Sequence, residues 1–366
     1  MSFKLIASYF FDWAVLIAFG LAGYGINNIT PNKHAFSLED RAISFPLHDD
    51  TVSIAVCGIV SVVAPAAIIL VVTFLVVPGP TAHKRISQGL IWKRRLWELH
   101  ASLLGLAASF ITTWFIINGL KNLLGKPRPN LLARCQPDLN NIADYVVGGV
   151  LTATSDGRLV TAAICQNPDS SIVDEGFRSS PSGHSSISAA GLVYLSLFLA
   201  TKLGAFIPFL HPRTDRHDES AHSAFPSRRH YRQITSPIPL ELQGSGQQAA
   251  AETPKDVAAT RREAAAPPIY LLVLTVIPFF GSVYICVSRW YDYQHHGIDI
   301  FFGFLIGFTT SIVAFRLYHL PLGRGAGWAW APRNQDKAFW GGVGSNSYAK
   351  GRVRSDDHDE EVETMV

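Results

Sequence analysis

The sequence predicts an all-α integral membrane protein, a bundle of six transmembrane helices. Of its 366 residues, 48% are hydrophobic and only 16% are charged, a composition too apolar for an ordinary soluble domain. The apolar residues gather in six windows, each long enough to cross a hydrocarbon core of about 30 Å as a helix. These windows are residues 5–24, 52–77, 98–120, 185–209, 269–288 and 299–318.

The first window is the element most open to a second interpretation, since an apolar N-terminal stretch can also be a signal peptide. Its beginning is only weakly basic, no clear small-residue cleavage site follows it, and its apolar stretch is rather long. We therefore interpret it as a membrane helix, in which Asp12 is an interfacial or interhelical hydrogen-bond partner. The second window is long enough to tilt. Several windows exceed eighteen residues with almost no charge, which favours membrane helices over buried core helices.

The orientation follows from the positive residues of the loops. Lysine and arginine are frequent after the second window, after the fourth window and in the C-terminal segment. Because such residues are retained on the cytoplasmic side, both termini are predicted to be cytoplasmic. Residues 25–51, 121–184 and 289–298 then lie on the lumenal or extracellular face.

Composition divides the chain into four segments. Residues 1–210 carry the first four helices and their lumenal loops, and residues 268–320 carry the last two. Residues 211–267 are rich in Pro, Ser, Gln, Ala and charge, which predicts a disordered cytoplasmic insert. Residues 321–366 are a largely disordered cytoplasmic tail with an acidic end, whose role in binding a partner stays open.

Three short stretches beside the apolar windows carry the chemistry: KNLLGKPRP (121–129), PSGH (181–184) and SRWYDYQHHGID (288–299). The predicted topology brings all three to one face of the membrane, as a site assembled from distant segments requires. They supply cations, imidazoles and one carboxylate that together suit a phosphate ester. These side chains are Lys121, Arg128, Arg289, His184, His295 and Asp299.

Each of these residues also has an ordinary structural interpretation. Lys121 and Arg128, beside a helix end, could anchor that end at the interface or bind phosphate, for which the arginine fork and the compact lysine charge are suited. Ser182 could be a helix N-cap and His184 an interfacial histidine. A helix N-terminus also favours anions, and Gly183 would let a phosphate oxygen approach the backbone.

The spacings K-x6-R-P, P-S-G-H and S-R-x5-H-x3-D resemble those of the type 2 phosphatidic acid phosphatase superfamily, the lipid phosphate phosphatases. The resemblance covers roughly residues 1–210 and 268–320. It implies a phosphoric monoester hydrolase without metal or cofactor. From the residues alone, either His295 or His296 could reach Asp299, and the spacing in the family selects His295. The implied roles are nucleophile for His295, orientation of His295 for Asp299, general acid for His184, and phosphate binding for Lys121, Arg128, Ser182, Gly183 and Arg289.

The substrate is expected to be phosphatidic acid, diacylglycerol pyrophosphate or both. The stretch RAISFP (41–46) resembles the lipid phosphatase branch of the family. A polyprenyl diphosphate or sphingoid phosphate phosphatase is the alternative activity, and a non-catalytic membrane scaffold of the same fold is the alternative class. The expected partners are the lipid substrate and the bilayer, not nucleic acid. The vacuolar, endoplasmic reticulum and plasma membranes all stay open, as does the oligomeric state.

The cysteines and acidic residues complete the sequence-based expectations. Cys135 and Cys165 share a predicted lumenal loop, where a disulfide is permitted, and the sequence leaves open whether they pair. No Cys or His cluster has zinc-ligand spacing, and no acidic cluster resembles a magnesium site, so no metal is expected. Asp292 lies outside the matched motif positions and is interpreted as a loop residue.

Overall fold

A computed structural model describes residues 3–79, 87–152, 156–207, 265–322, 327–339 and 348–349. Six helices in it are long and apolar enough to cross a membrane, which confirms the predicted fold class. They are α1 (Phe3–Asn27), α2 (Ile54–Val76), α3 (Gln88–Leu124), α4 (Gly183–Lys202), α5 (Ile269–Tyr291) and α6 (Gly297–Tyr318). All but the last three residues of the predicted insert, and most of the predicted tail, lie outside the described residues. The predicted division into segments therefore stays a prediction.

Helix α3 differs most from its predicted window, because it begins at Gln88 rather than at residue 98. Hydropathy falls where Lys93, Arg94 and Arg95 enter the sequence, but these residues are good helix formers and the helix continues through them. Its other end lies at Leu124, shortly after residue 120, where the predicted window stops. Gly125 adopts a left-handed conformation (φ 53°) and its N–H bonds to the Lys121 carbonyl, so the helix stops before the two prolines of the first motif.

Helix α4 is the centre of the bundle. Of its membrane window, 78% is buried inside the protein, against 17% to 39% for the other five spans. Its sequence explains this, since serine, alanine and glycine dominate its first half and let neighbouring backbones come close. Gly191 is packed so tightly that a methyl group there would overlap the carbonyl oxygen of Ser61 in α2. The PSGH motif thus opens the most enclosed helix of the fold.

A small subdomain connects α3 to α4. Two strands, β1 (Val146–Leu151) and β2 (Asp156–Val160), pair antiparallel with Leu151 opposite Asp156 and a register irregularity between Val146 and Gly148. Short helices precede and follow them, at Leu131–Cys135 and Ser170–Gly176. The core of the subdomain consists of Phe36, Ile43, Leu131, Cys135, Val160, Ile164, Val173 and Phe177.

A disulfide joins Cys135 to Cys165 inside this subdomain, so the pairing that the sequence left open does form. It connects the short helix after the first motif to the segment that leads towards PSGH. The cross-link therefore constrains the loop that carries two of the three motif stretches.

The opposite end of the bundle is closed by the segment after α6. Lys202 and Glu98 form a buried ion pair there, and the Lys202 ammonium also donates to the Gly327 carbonyl. Arg333 pairs with Asp12 of α1, so the partner of Asp12 is a residue of the C-terminal segment rather than another helix. These contacts hold the described part of that segment against α1, α3 and α4.

The packing of α4 predicts a large difference between two glycine substitutions. Gly191→Ala forces a methyl group against the α2 backbone, and we expect it to lower the free energy of unfolding by about 1–3 kcal/mol. Gly119→Ala in α3 meets nothing within 4 Å and should be neutral or stabilising, because alanine is the better helix former. Thermal unfolding of the purified variants in detergent measures both. Equal melting temperatures would contradict the packing at Gly191.

Candidate active site

The three motif stretches meet at one end of the bundle, where α3 ends and α4 and α6 begin. The Ser182 N–H donates to the Asp299 carbonyl over 3.0 Å, which joins the starts of α4 and α6. A methyl group on Gly183 would lie 3.1 Å from Lys121 Nζ, so the end of α3 reaches the same point. Arg128 Nη1 bonds to the Gln294 side chain over 2.9 Å, next to His295 in the sequence.

His295 is buried with one ring nitrogen engaged and the other left for chemistry. Its Nδ1 lies 2.6 Å from the Ser179 carbonyl oxygen, and the side chain is almost inaccessible to solvent. Because a carbonyl only accepts, Nδ1 carries the proton and Nε2 keeps its lone pair. Burial, reinforced by the charges of Arg128 and Lys121, holds the pKa of His295 well below its usual value. The ring is therefore neutral at physiological pH.

Asp299 is bonded to other partners than the sequence suggested. Its carboxylate accepts from Lys126 Nζ at 2.8 Å and from Ser179 Oγ at 2.7 Å, and lies 3.2 Å from His296 Nδ1. The expected contact with His295 is not among the hydrogen bonds of the described residues. The reason is local: His296 is the N-cap of α6 and Asp299 its third residue, and this capping-box arrangement turns the carboxylate back towards His296.

The Arg128 guanidinium is held by the subdomain and the α5–α6 loop together. Its Nε donates to the Glu175 carbonyl over 2.7 Å and its Nη2 to the Glu175 carboxylate over 2.9 Å. Glu175 also accepts from Arg178 Nη1. Partial burial alone would raise the pKa of Glu175, but the charges of Arg128 and Lys121, with the Arg178 hydrogen bond, hold it at about 2. Glu175 is thus the ionised partner of Arg128.

Arg289 is the most buried of the cations, at 1% exposure. Its Nη2 donates to Asp292 over 2.7 Å and its Nη1 to Asp50 over 2.9 Å. Asp292 accepts two further bonds from Thr51, from its N–H and its hydroxyl. Asp292, interpreted from the sequence as a loop residue, therefore orients a buried arginine. The position of Asp292 three residues after Arg289 is a local sequence signal for this contact, whereas no local signal indicates the contact with Asp50.

The N-terminal end of α4 lies at the same end of the bundle. Ser182 is the N-cap of α4, and its hydroxyl accepts from the hydroxyl of Ser185. The structural interpretation of Ser182 as an N-cap therefore holds, whether or not it also binds a ligand. His184 Nε2 is buried without a hydrogen-bond partner. A buried polar atom without a partner needs an explanation, and an anionic ligand bound beside the three cations would supply the missing partner of this nitrogen. Backbone N–H groups of the first turn and the helix dipole favour the same ligand.

The loop between α1 and α2 covers the α5–α6 loop. The Phe45 ring stacks on Tyr293 with centroids 4.7 Å apart, and the Phe45 N–H donates to the Pro129 carbonyl. The Gln294 side chain donates to the His48 carbonyl over 3.4 Å, and His296 Nε2 lies 3.2 Å from the Ala42 carbonyl. The RAISFP stretch thus forms one wall of the site.

The described residues contain no group of three or more His, Cys, Asp or Glu side chains suited to hold a metal ion. The motifs bring three cations to this end, Lys121, Arg128 and Arg289. Such an arrangement can bind a phosphate, present a neutral imidazole to its phosphorus and bring a second imidazole close to the departing oxygen.

Comparison with known proteins agrees with this chemistry. A family model described as "PAP2 superfamily" matches residues 102–321, which include all three motifs. The "Probable diacylglycerol pyrophosphate phosphatase 1" of Schizosaccharomyces pombe is 30% identical over 87% of this chain and 84% of its own length. The "Lipid phosphate phosphatase 2" of Arabidopsis thaliana is 26% identical over 87% and 79%. The "Diacylglycerol pyrophosphate phosphatase 1" of Saccharomyces cerevisiae is 25% identical over 85% and 80%. No solved structure matches the chain.

The bonds around Arg289 predict which aspartates of this end matter. In Asp292→Asn the buried guanidinium loses a charge-assisted hydrogen bond worth about 1.5–3 kcal/mol, and we expect kcat/KM to fall about tenfold or more. Asp49→Asn is the matched control, since Asp49 is the exposed neighbour of Asp50. Steady-state phosphate release from a lipid phosphate compares the two. Equal activity would show that Asp292 does not position Arg289.

Proposed function

This chain belongs to the PAP2 superfamily and is a membrane lipid phosphatase, and on that premise we propose that it hydrolyses phosphatidic acid, diacylglycerol pyrophosphate or both through a phosphohistidine on His295, without a metal ion. The proposal rests chiefly on His295, which is neutral and buried, keeps Nε2 free and lies near the cations Arg128 and Lys121 of the first motif. His184 also keeps an unpaired Nε2, so the choice of His295 rather than His184 as nucleophile follows the motif spacing.

The site is proposed to face the lumen or the exterior, with both termini in the cytoplasm. The lysine and arginine residues of the other loops support this orientation. The disulfide between Cys135 and Cys165 supports it independently, because it lies at the site end and disulfides persist on the oxidising side of a membrane. The vacuolar, endoplasmic reticulum and plasma membranes all meet this condition.

In the first step His295 Nε2 attacks phosphorus in line with the ester bond. The nitrogen–phosphorus bond forms as the phosphorus–oxygen bond breaks, and its electron pair goes to the departing lipid oxygen. His184, protonated in the presence of the substrate phosphate, gives that oxygen a proton and releases the alcohol. Lys121, Arg128 and Arg289, with the free N–H groups of α4, stabilise the charge on the equatorial oxygens.

In the second step water hydrolyses the phosphohistidine. His184, now neutral, accepts a proton from the water as its oxygen bonds to phosphorus. The nitrogen–phosphorus bond breaks, its electron pair returns to His295 Nε2, and inorganic phosphate leaves. His184 is again protonated, so both histidines are restored for the next turnover.

The choice of substrate rests on the names of the relatives and on the RAISFP stretch that forms one wall of the site. Two of those names specify diacylglycerol pyrophosphate and one specifies lipid phosphates in general. Polyprenyl diphosphates and sphingoid phosphates present the same phosphate to the same cations. They are therefore the alternative substrates against which phosphatidic acid and diacylglycerol pyrophosphate are compared. The scaffold alternative is set aside, because the relatives are named as phosphatases.

The nucleophile is tested with labelled substrate. Wild-type protein mixed with ³²P-labelled phosphatidic acid or diacylglycerol pyrophosphate and quenched should carry an alkali-stable, acid-labile label on His295. His295→Ala should show neither label nor turnover while still inserting in the membrane, and His34→Ala, which alters an exposed histidine, should behave as wild type. Turnover by His295→Ala, or a label on another residue, would refute the assignment. A panel of lipid phosphates in the same assay ranks the substrates.

Metal independence gives a separate prediction. Since three cations and helix N–H groups stabilise the transferring phosphoryl group, the rate should be unchanged in excess EDTA. Phosphate release by protein purified and assayed in chelator measures this. Loss of turnover that added magnesium restores would contradict the proposal.

A further inference from the structure

We propose that Ser179 is the positioning residue of the nucleophile, and that Asp299 and Lys126 act on His295 through it. The proposal rests on the proposed function of His295. It adds two residues to the reaction, Ser179 and Lys126, and changes the way in which Asp299 contributes.

Ser179 is completely buried, and each of its three polar groups is bonded to a different part of the site. Its N–H donates to the Lys126 carbonyl over 3.0 Å. Its hydroxyl donates to Asp299 Oδ2 over 2.7 Å. Its carbonyl accepts from His295 Nδ1 over 2.6 Å. One residue, two positions before PSGH, therefore connects all three motif stretches.

The carbonyl determines which nitrogen of His295 can react. A neutral imidazole has one N–H, and a carbonyl oxygen can only accept, so the bond is made only by the tautomer protonated at Nδ1. In that tautomer Nε2 keeps the lone pair that attacks phosphorus. As Nε2 bonds to phosphorus the ring gains positive charge, and the bond from Nδ1–H to the carbonyl strengthens. The carbonyl thus favours the transition state as well as the reactive tautomer.

The hydroxyl of Ser179 fixes where that carbonyl lies. Without its bond to Asp299, the peptide that carries the carbonyl loses its anchor on the α6 side. Asp299 is buried, and its ionised form accepts this bond more strongly than a neutral carboxyl group would. Lys126 pairs with its other oxygen at 2.8 Å. Because a buried carboxylate without a partner is costly, Lys126 keeps Asp299 in the form that anchors Ser179.

The arrangement is tested by a double-mutant cycle. Ser179→Ala and Asp299→Asn should each lower kcat about 10- to 100-fold, the value of a hydrogen bond to a charged group, with KM little changed. If Asp299 acts through Ser179, the double variant should be no slower than the slower single variant. Multiplied losses would mean that Asp299 acts on His295 by another route and would overturn the proposal. Ser171→Ala, at an exposed serine of the same subdomain, is the control.

The role of Lys126 is tested by removing its positive charge and then restoring it. Lys126→Met should lower kcat, and Lys126→Arg should restore most of it, because the lysine side chain is 36% exposed and leaves room for the larger group. The control is Lys33→Met, which breaks a comparable pair with Asp174 whose lysine is 34% exposed. Equal loss in Lys126→Met and Lys33→Met, or no rescue by arginine, would count against the proposal.

The histidine tautomer supplies a readout that a purely structural role would not change. In protein labelled with ¹⁵N-histidine, the His295 signals are those lost in His295→Ala, and in the wild type they should show protonation at Nδ1 alone. In Ser179→Ala we expect a mixture of both tautomers in protein that remains folded. A wild-type pattern in Ser179→Ala would overturn the role of Ser179. A phosphohistidine on the wild type would still support the proposed function, so the two failures are distinguishable.

Discussion

The site depends on keeping three cations together where little water reaches them. Charges of one sign repel, and burial penalises each of them, so every cation needs an acceptor. Arg289 has Asp292 and Asp50, and Arg128 has Glu175 and Gln294. Within the described part of the chain, the Lys121 ammonium makes no hydrogen bond or ion pair. In the proposed function, the substrate phosphate is the partner that completes the site, and it would also bond to His184 Nε2, which has no hydrogen-bond partner among the described residues.

This constraint explains why parts of the fold that carry no motif are needed. The subdomain between α3 and α4 supplies Glu175 from a short helix, and the disulfide fastens the loop on which that helix sits. The loop between α1 and α2 supplies Asp50. Helix α4 lies at the centre with most of its span buried, so its N-terminus is a fixed point around which the other two motifs are arranged.

Much of this could be predicted from the sequence, because membrane helices and cation-rich motifs are local patterns. The six spans, the stop of α3 at Gly125 and the meeting of the three motifs follow from hydropathy, helix capping and topology. The counter-charges could not be predicted, since Glu175 reaches Arg128 and Asp50 reaches Arg289 only through tertiary packing. The contact between Asp299 and His296 is a position where two sequence signals disagree. The spacing in the family favoured His295, but the capping geometry of α6, a local signal, favoured His296.

In the proposed function, one phosphate occupies the point where the three motifs meet, in line with His295 Nε2. The most direct measurement is a structure of the protein with vanadate, which adopts the geometry of a transferring phosphoryl group. We expect vanadium bonded to His295 Nε2, its equatorial oxygens contacted by Lys121, Arg128 and Arg289, and His184 beside the apical oxygen. Vanadate bonded to another histidine, or bound away from this end of the bundle, would contradict it.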